Sequence, residues 1–165
     1  MRCSGRPRAA WAARVGDAVF GQAAGCLGSA VLCDARTVVA MPPGLTFAEA
    51  ATVPTAFLTA YDCLIETACI SKDSRVLVHA ATGGLGLAAV QVAAAAGAEA
   101  LGTAGSASKR AHLRGLGVRG IASSRSLDFA EAFAAPARRP NVVLNSLTSP
   151  GKTPSRTQRK TIADL

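Results

Sequence analysis

The chain has 165 residues, half of them apolar and only 4% aromatic, and a formal net charge of +8. That length suits one domain of ordinary size, with a core built from Val, Leu, Ile and Ala. The charge is not that of a nucleic-acid-binding face. Residues Met1 to Arg14 carry four Arg and no acid, and Ser149 to Leu165 carry four basic residues and Asp164. The ends thus hold +4 and +3 of the +8, leaving +1 for everything between. Nucleic-acid binders gather charge on a folded surface, so residues 1–14 and 149–165 are read as basic, disordered segments and nucleic-acid binding as the weakest class.

The five cysteines, Cys3, Cys26, Cys33, Cys63 and Cys69, form no Cys-x-x-Cys pair, and His79 and His112 lie far apart. No metal-ligand spacing results, and an odd count favours reduced thiols in a cytoplasmic setting. The Arg-rich start also has the composition of an organelle transit peptide, a minor alternative. The longest apolar stretch, Leu85 to Ala96, is too short to cross a bilayer.

In chain order, Val15 to Phe20 and Ala30 to Cys33 read as strands of a small β-rich unit closed by the turn Met41-Pro42-Pro43-Gly44. Thr46 and Glu49 have capping-box spacing. A helix is predicted to follow, to break at Pro54, and to give way to a second helix over Thr55 to Ala68. From Arg75 the pattern alternates. Strands are predicted at Arg75 to His79, Ala98 to Ala104, Gly120 to Ser123 and Asn141 to Asn145. Helices are predicted at Leu85 to Ala96, stopped by Gly97, at Ser108 to Leu116 with Ser108 as cap, and from Asp128, capped with Glu131. Such alternation implies right-handed crossovers and a parallel sheet. Gln91 is the one polar side chain of the Leu85 helix, which is expected to be covered on nearly all sides. Residues after Leu147 lose apolar periodicity and read as disordered.

Ala81-Thr82-Gly83-Gly84-Leu85-Gly86 fits a dinucleotide-binding turn with Ala in the first place. The chain must turn sharply after a strand, let backbone amides approach a pyrophosphate, and pack helix against strand. The helix start then offers unpaired amides and a favourable dipole to the anion. A tight turn that binds nothing is the bland alternative. The next strand ends Thr103-Ala104-Gly105-Ser106 without the acid that an NAD site carries, and Lys109 and Arg110 follow. This favours NADPH, against an ordinary charged helix face.

Several stretches carry a family likeness. His79 to Gly86 with Ala89-Val90-Gln91 resembles the cofactor loop of the zinc-independent, quinone-oxidoreductase-like branch of the medium-chain dehydrogenases/reductases. Met41 to Phe47, Phe57 to Tyr61, Ile121 to Phe129 and Val142 to Leu147 resemble enoyl reductase domains of modular polyketide synthases and animal fatty acid synthase. The likeness covers roughly Val15 to Thr148. It implies an α/β protein: a partial Rossmann domain over 46–148, a parallel sheet with flanking helices, preceded over 15–45 by the end of a GroES-like β domain.

The activity implied is hydride transfer from NADPH to the β-carbon of an α,β-unsaturated thioester on acyl carrier protein. Other synthase domains are the implied partners, and a homodimer is compatible. By matching positions, Gly83, Gly84, Leu85 and Gly86 should bind the pyrophosphate, and Ser106 and Lys109 the ribose phosphate. Ser124 and Arg125 should line the adenosine side. Thr59, Asn145, Ser146 and Leu147 should approach the nicotinamide. Thr59 could equally be a buried helix hydroxyl, and Asn145 a strand cap.

The family's first β segments have no counterpart before Val15, and its later Rossmann elements have none after Thr148. The chain is therefore expected to be a partial enzyme. The resemblance assigns no catalytic acid and no metal, and Tyr61 is read as a packing residue. The alternatives are an NADPH quinone oxidoreductase and a non-catalytic NADP-binding remnant.

Overall fold

The computed structural model describes residues 13–136 and 139–146. The chain divides into two units at Leu58/Thr59. In the first, strands β1 (Val19–Gly21) and β2 (Val38–Ala40) pair antiparallel, Val19 opposite Ala40. The expected strand at Ala30 to Cys33 is not formed. β1 pairs instead with Val38–Ala40, after a short 3-10 turn over Ala35–Thr37 started by Asp34, whose carboxylate accepts from the Arg36 amide at 2.8 Å.

Helix α1 spans Phe47–Tyr61. Its start is the expected capping box. Thr46 N–H donates to the Glu49 carboxylate at 2.9 Å, and Glu49 N–H donates to Thr46 Oγ1 at 3.2 Å. The Thr46 amide, with the Thr46 hydroxyl donating to the same carboxylate at 2.8 Å, holds the Glu49 carboxyl below its usual pKa. Pro54 does not break this helix as expected. It is buried inside α1, and the helix accepts the loss of one amide donor there. No second α-helix follows: Asp62–Thr67 is a single π-helical segment ending at Ala68.

In the second unit, β3 (Arg75–Val78), β4 (Glu99–Ala104), β5 (Gly120–Ser123) and β6 (Val142–Leu144) form one parallel sheet in the order β5-β4-β3-β6. Helices α2 (Gly84–Ala95) and α3 (Ala107–Gly115) make the crossovers β3 to β4 and β4 to β5. Helix α4 (Asp128–Ala132) precedes β6. Asn141 ties β6 to β3: its side-chain oxygen accepts from Arg75 N–H at 2.8 Å, and its own N–H donates to the Arg75 carbonyl at 3.0 Å.

Strand alternation gives the sheet two buried faces. Leu77 and Leu101, with Val143 and Ala122, pack against Phe129 and Phe133 at and beyond α4. On the other face Gly102 leaves room for Ala81, Leu113 and Val118.

Three local expectations are corrected. Helix α2 buries Gly86, Ala88, Ala89, Val90 and Ala93, while Gln91, Ala94 and Ala95 are exposed, so it is covered on one side only. The cap of α3 is Ser106, not Ser108: β4 ends at Ala104, so Ser106 is the extended residue whose oxygen meets the Lys109 amide. Asp128 does not cap α4 with Glu131. It accepts from Ser126 Oγ at 2.7 Å, and the capping residue, Leu127, makes no side-chain bond. Gly97 ends α2 at φ +74° as expected of a left-handed cap.

Candidate functional site

Parallel strands bring their carboxyl ends to one edge, and that edge collects most of the predicted site residues. Across it, in sheet order, come Ser124 and Arg125 after β5, Gly105 and Ser106 after β4, the glycine turn after β3, and Asn145 and Ser146 after β6. Strand order reverses between β3 and β6, the position at which open α/β sheets hold ligands.

The turn after β3 is closely built. Gly83 N–H donates to the Ala80 carbonyl at 2.8 Å, and Gly83 then caps α2 in an extended conformation, with no side-chain bond to the helix amides. A Cβ on Gly86 would press on the Ala80 carbonyl oxygen and lie 2.6 Å from Ala81 Cα and 2.7 Å from the Ala81 carbonyl carbon. Glycine there lets the first turn of α2 sit on the loop. Gly84 faces open space: beyond its chain neighbours and its own helix backbone, nothing lies within 4 Å of where a Cβ would be. First-turn amides have no partner within their helix. Here they meet an open, uncapped approach, which suits a diphosphate. Ala81, in the first fingerprint position, is completely buried, and a Cβ on Gly102 would come within 3.0 Å of its methyl group. Gly102 thus supplies the space that Ala81 takes.

His79 follows β3 directly. Its N–H donates to the Leu144 carbonyl at 3.0 Å, and its Nδ1 lies 3.1 Å from Thr103 Oγ1. The Phe129 ring meets the imidazole edge-on, centroids 5.3 Å apart. Burial pushes the His79 pKa below its usual value, which favours the uncharged ring.

At the ends of β4 and β5 the chain gathers hydroxyls and cations. Ser106 Oγ is 3.0 Å from Ser108 Oγ, and Lys109 is exposed on the first turn of α3. A Cβ on Gly105 would lie 3.1 Å from Arg125 Nε and 3.5 Å from Ser124 Oγ. The Arg125 side chain therefore rests over Gly105. Arg110 is turned inward, where its guanidinium donates to the Ala104 carbonyl at 3.2 Å. It braces the end of β4.

The structure brings together Gly83 to Gly86, Ser106, Lys109, Ser124, Arg125, Asn145 and Ser146. Thr59 is exposed on α1, so it is not a buried helix hydroxyl. Tyr61, at the end of α1, is 48% exposed. Leu147 lies outside the described residues. Gly105 was missed by the sequence reading of the site. Its partner Arg125 is distant in sequence, and only the absence of an acid after β4 pointed to it. Among the described residues no group of three His, Cys, Asp or Glu is arranged to hold a metal, and no helix is long and apolar enough to cross a membrane.

No family model matches the chain. It is 46% identical over 138 residues to a phthioceranic/hydroxyphthioceranic acid synthase of Mycobacterium tuberculosis, covering 82% of this chain and 6% of that protein. It is 49% identical over 136 residues to the pikromycin polyketide synthase component PikAII of Streptomyces venezuelae, covering 80% and 4%. The CurK enoyl reductase structure superposes with a TM-score of 0.64 at 50% identity, covering 68% of this chain and 34% of that one. The chain is homologous to part of the polyketide synthase enoyl reductase domain.

The nucleotide-binding subdomain of the PpsC enoylreductase domain from M. tuberculosis also matches, at TM-score 0.53 and 46% identity, covering 57% of this chain and 54% of that one. A quinone oxidoreductase from Thermus thermophilus, solved also with NADPH, matches at TM-score 0.58 and 36% identity, covering 70% and 37%. This enoyl reductase relative thus spans about a third of the CurK domain and a small part of the synthases. Its parallel sheet is thus similar to that of enoyl reductase domains and of a quinone oxidoreductase.

Proposed function

We propose that this chain is the NADPH-binding part of an enoyl reductase that reduces the double bond of an α,β-unsaturated acyl thioester carried on acyl carrier protein. The observation that carries the reading is the turn after β3: Gly86 seated on Ala80 and Ala81, with Gly84 open and α2 uncapped. Gly83, Gly84, Leu85 and Gly86 would hold the pyrophosphate through backbone amides. Ser106, Lys109 and Arg125 would meet the ribose phosphate, with Ser124 beside them on the adenosine side. Asn145, Ser146 and Leu147 would flank the nicotinamide, with Thr59 contributing from α1. The bound coenzyme supplies the hydride. The protein's part is to orient it and to exclude water. No side chain is assigned as proton donor.

NADPH is preferred to NADH because β4 ends without an acid and Arg125 rests over Gly105. The partners of the whole protein are other synthase domains in the cytoplasm, and a homodimer is compatible with this reading. On this reading residues 15–45 would be the end of a GroES-like β domain and 46–148 a partial Rossmann domain. A quinone reductase reading rests on the shared coenzyme turn, but identity to it is 36% against 50% for CurK.

The test is a fluorescence titration of the full chain with NADPH and NADH, followed by turnover of a crotonyl thioester and of a quinone. NADPH binding tighter than NADH is expected. Arg125→Ala should weaken NADPH about tenfold, as loss of a hydrogen bond to a charged group does, and leave NADH unchanged. Absence of NADPH binding overturns the reading. Binding without turnover of either substrate would favour the non-catalytic remnant, and preference for the quinone would favour the reductase of that class.

A further inference from the structure

We propose that His79 and Thr103 form a latch that positions the coenzyme-binding turn. Thr103 grips the turn twice. Its carbonyl accepts from Ala81 N–H at 3.0 Å, and its hydroxyl meets His79 Nδ1 at 3.1 Å. Between these two anchored residues lies Ala80, at φ +49°. A residue with a Cβ avoids that conformation unless its surroundings impose it. The Ala80 carbonyl in turn receives Gly83 N–H and underlies Gly86. The hold on His79 and Ala81 is thereby passed to the first amides of α2.

The hydroxyl of Thr103 has no need to exist for the sheet. Thr103 is 0% exposed, in a strand whose other buried residues are Leu101, Gly102 and Ala104. Valine would fill the same space with no polar group to satisfy. Burying a hydroxyl is costly unless it is paired, and its partner is His79. The His79 backbone amide is held by the Leu144 carbonyl, and its imidazole packs edge-on with the Phe129 ring. One residue beyond β3 is therefore tied to β4, β6 and the residues of α4. His79 and Thr103 are positioning residues. Neither is assigned contact with substrate or coenzyme.

The effect on coenzyme affinity rests on the reading above; the effect on the turn does not. The experiment uses the full chain with Thr103→Val, Thr103→Ser and His79→Gln. Amide hydrogen exchange is measured without coenzyme, and NADPH affinity and the unfolding midpoint are measured alongside. Thr103→Val and His79→Gln should speed exchange at Ala81 and Gly83 about tenfold, the scale of one lost hydrogen bond. The amides of β3 and β4 should keep their wild-type rates. NADPH affinity should fall about tenfold with the same two variants, and Thr103→Ser should restore both readouts. A general packing role would instead speed exchange across the whole sheet and lower the midpoint in proportion, with no rescue by serine. Wild-type exchange at Ala81 and Gly83 in both weakened variants overturns the latch. Should wild type fail to bind NADPH while Thr103→Val still loosens the turn, the coenzyme reading falls and the latch stands. If Thr103→Val does not fold, His79→Gln carries the same decision from the less buried side of the pair.

Discussion

In the hairpin of β1 and β2, Val39 is 47% exposed, whereas Val76, Leu77 and Val78 in β3 are buried almost completely. Both are short apolar strands, and they differ in what covers them. Among the described residues β1 and β2 pair only with each other, over three residues each. β3 lies between β4 and β6, with α2 on one side and the Phe129–Phe133 cluster on the other. Apolar sequence marks a strand, but the second layer makes it a core. The edge that carries the glycine turn is built on the covered strands, where position is held from both faces.

Substitutions can break or sharpen that contrast. Leu101→Ala should have the largest effect, about 2–5 kcal/mol of stability in chemical denaturation, because Leu101 is fully buried against Leu77 and Phe133. A loss under 1 kcal/mol would mean that the sheet is not the principal core. Gly86→Ala should follow, at about 1–3 kcal/mol, since the added methyl meets the backbone of Ala80 and Ala81. NADPH binding should be lost with it, and retained binding in calorimetry would show that the turn tolerates displacement. Thr46→Ala removes the hydroxyl that accepts from Glu49 N–H. It should cost about 1 kcal/mol, the usual value of a helix N-cap, read from the thermal midpoint. Val39→Ala should change stability by less than about 0.5 kcal/mol. A larger loss would reveal that the hairpin is covered in solution.

Much of the sheet was legible because its signals are local. Val76 to Val78 is a continuous apolar run, Glu99 to Ala104 has only Glu99 and Thr103 as polar residues, and Gly83, Gly97 and Thr46 mark stops and starts whose physics needs only a few neighbours. Ala30 to Cys33 failed for the opposite reason. Leu32 is apolar but wholly exposed, and the partner of β1 was decided by the Asp34 turn that delivers Val38 to Ala40. Pro54 was misread because a helix with one missing bond can persist where its other contacts hold it. At the site, the glycines and Ser106 were visible as a motif. Gly105 and Thr103 were not, because each acquires its meaning from a partner twenty or more positions away: Arg125 for Gly105, His79 for Thr103.

The paired bonds between Asn141 and Arg75 bear on how the sheet is completed. These residues are 66 positions apart, and β6 has only three residues with which to find its place. A slip of one residue would turn Val143 away from Phe129 and Phe133, and would swing Asn145 and Ser146 to the opposite face. The carboxamide of Asn141 offers an acceptor at one alignment alone. It works as a register pin: a single side chain at the far end of the strand sets where the chain emerges beside the glycine turn.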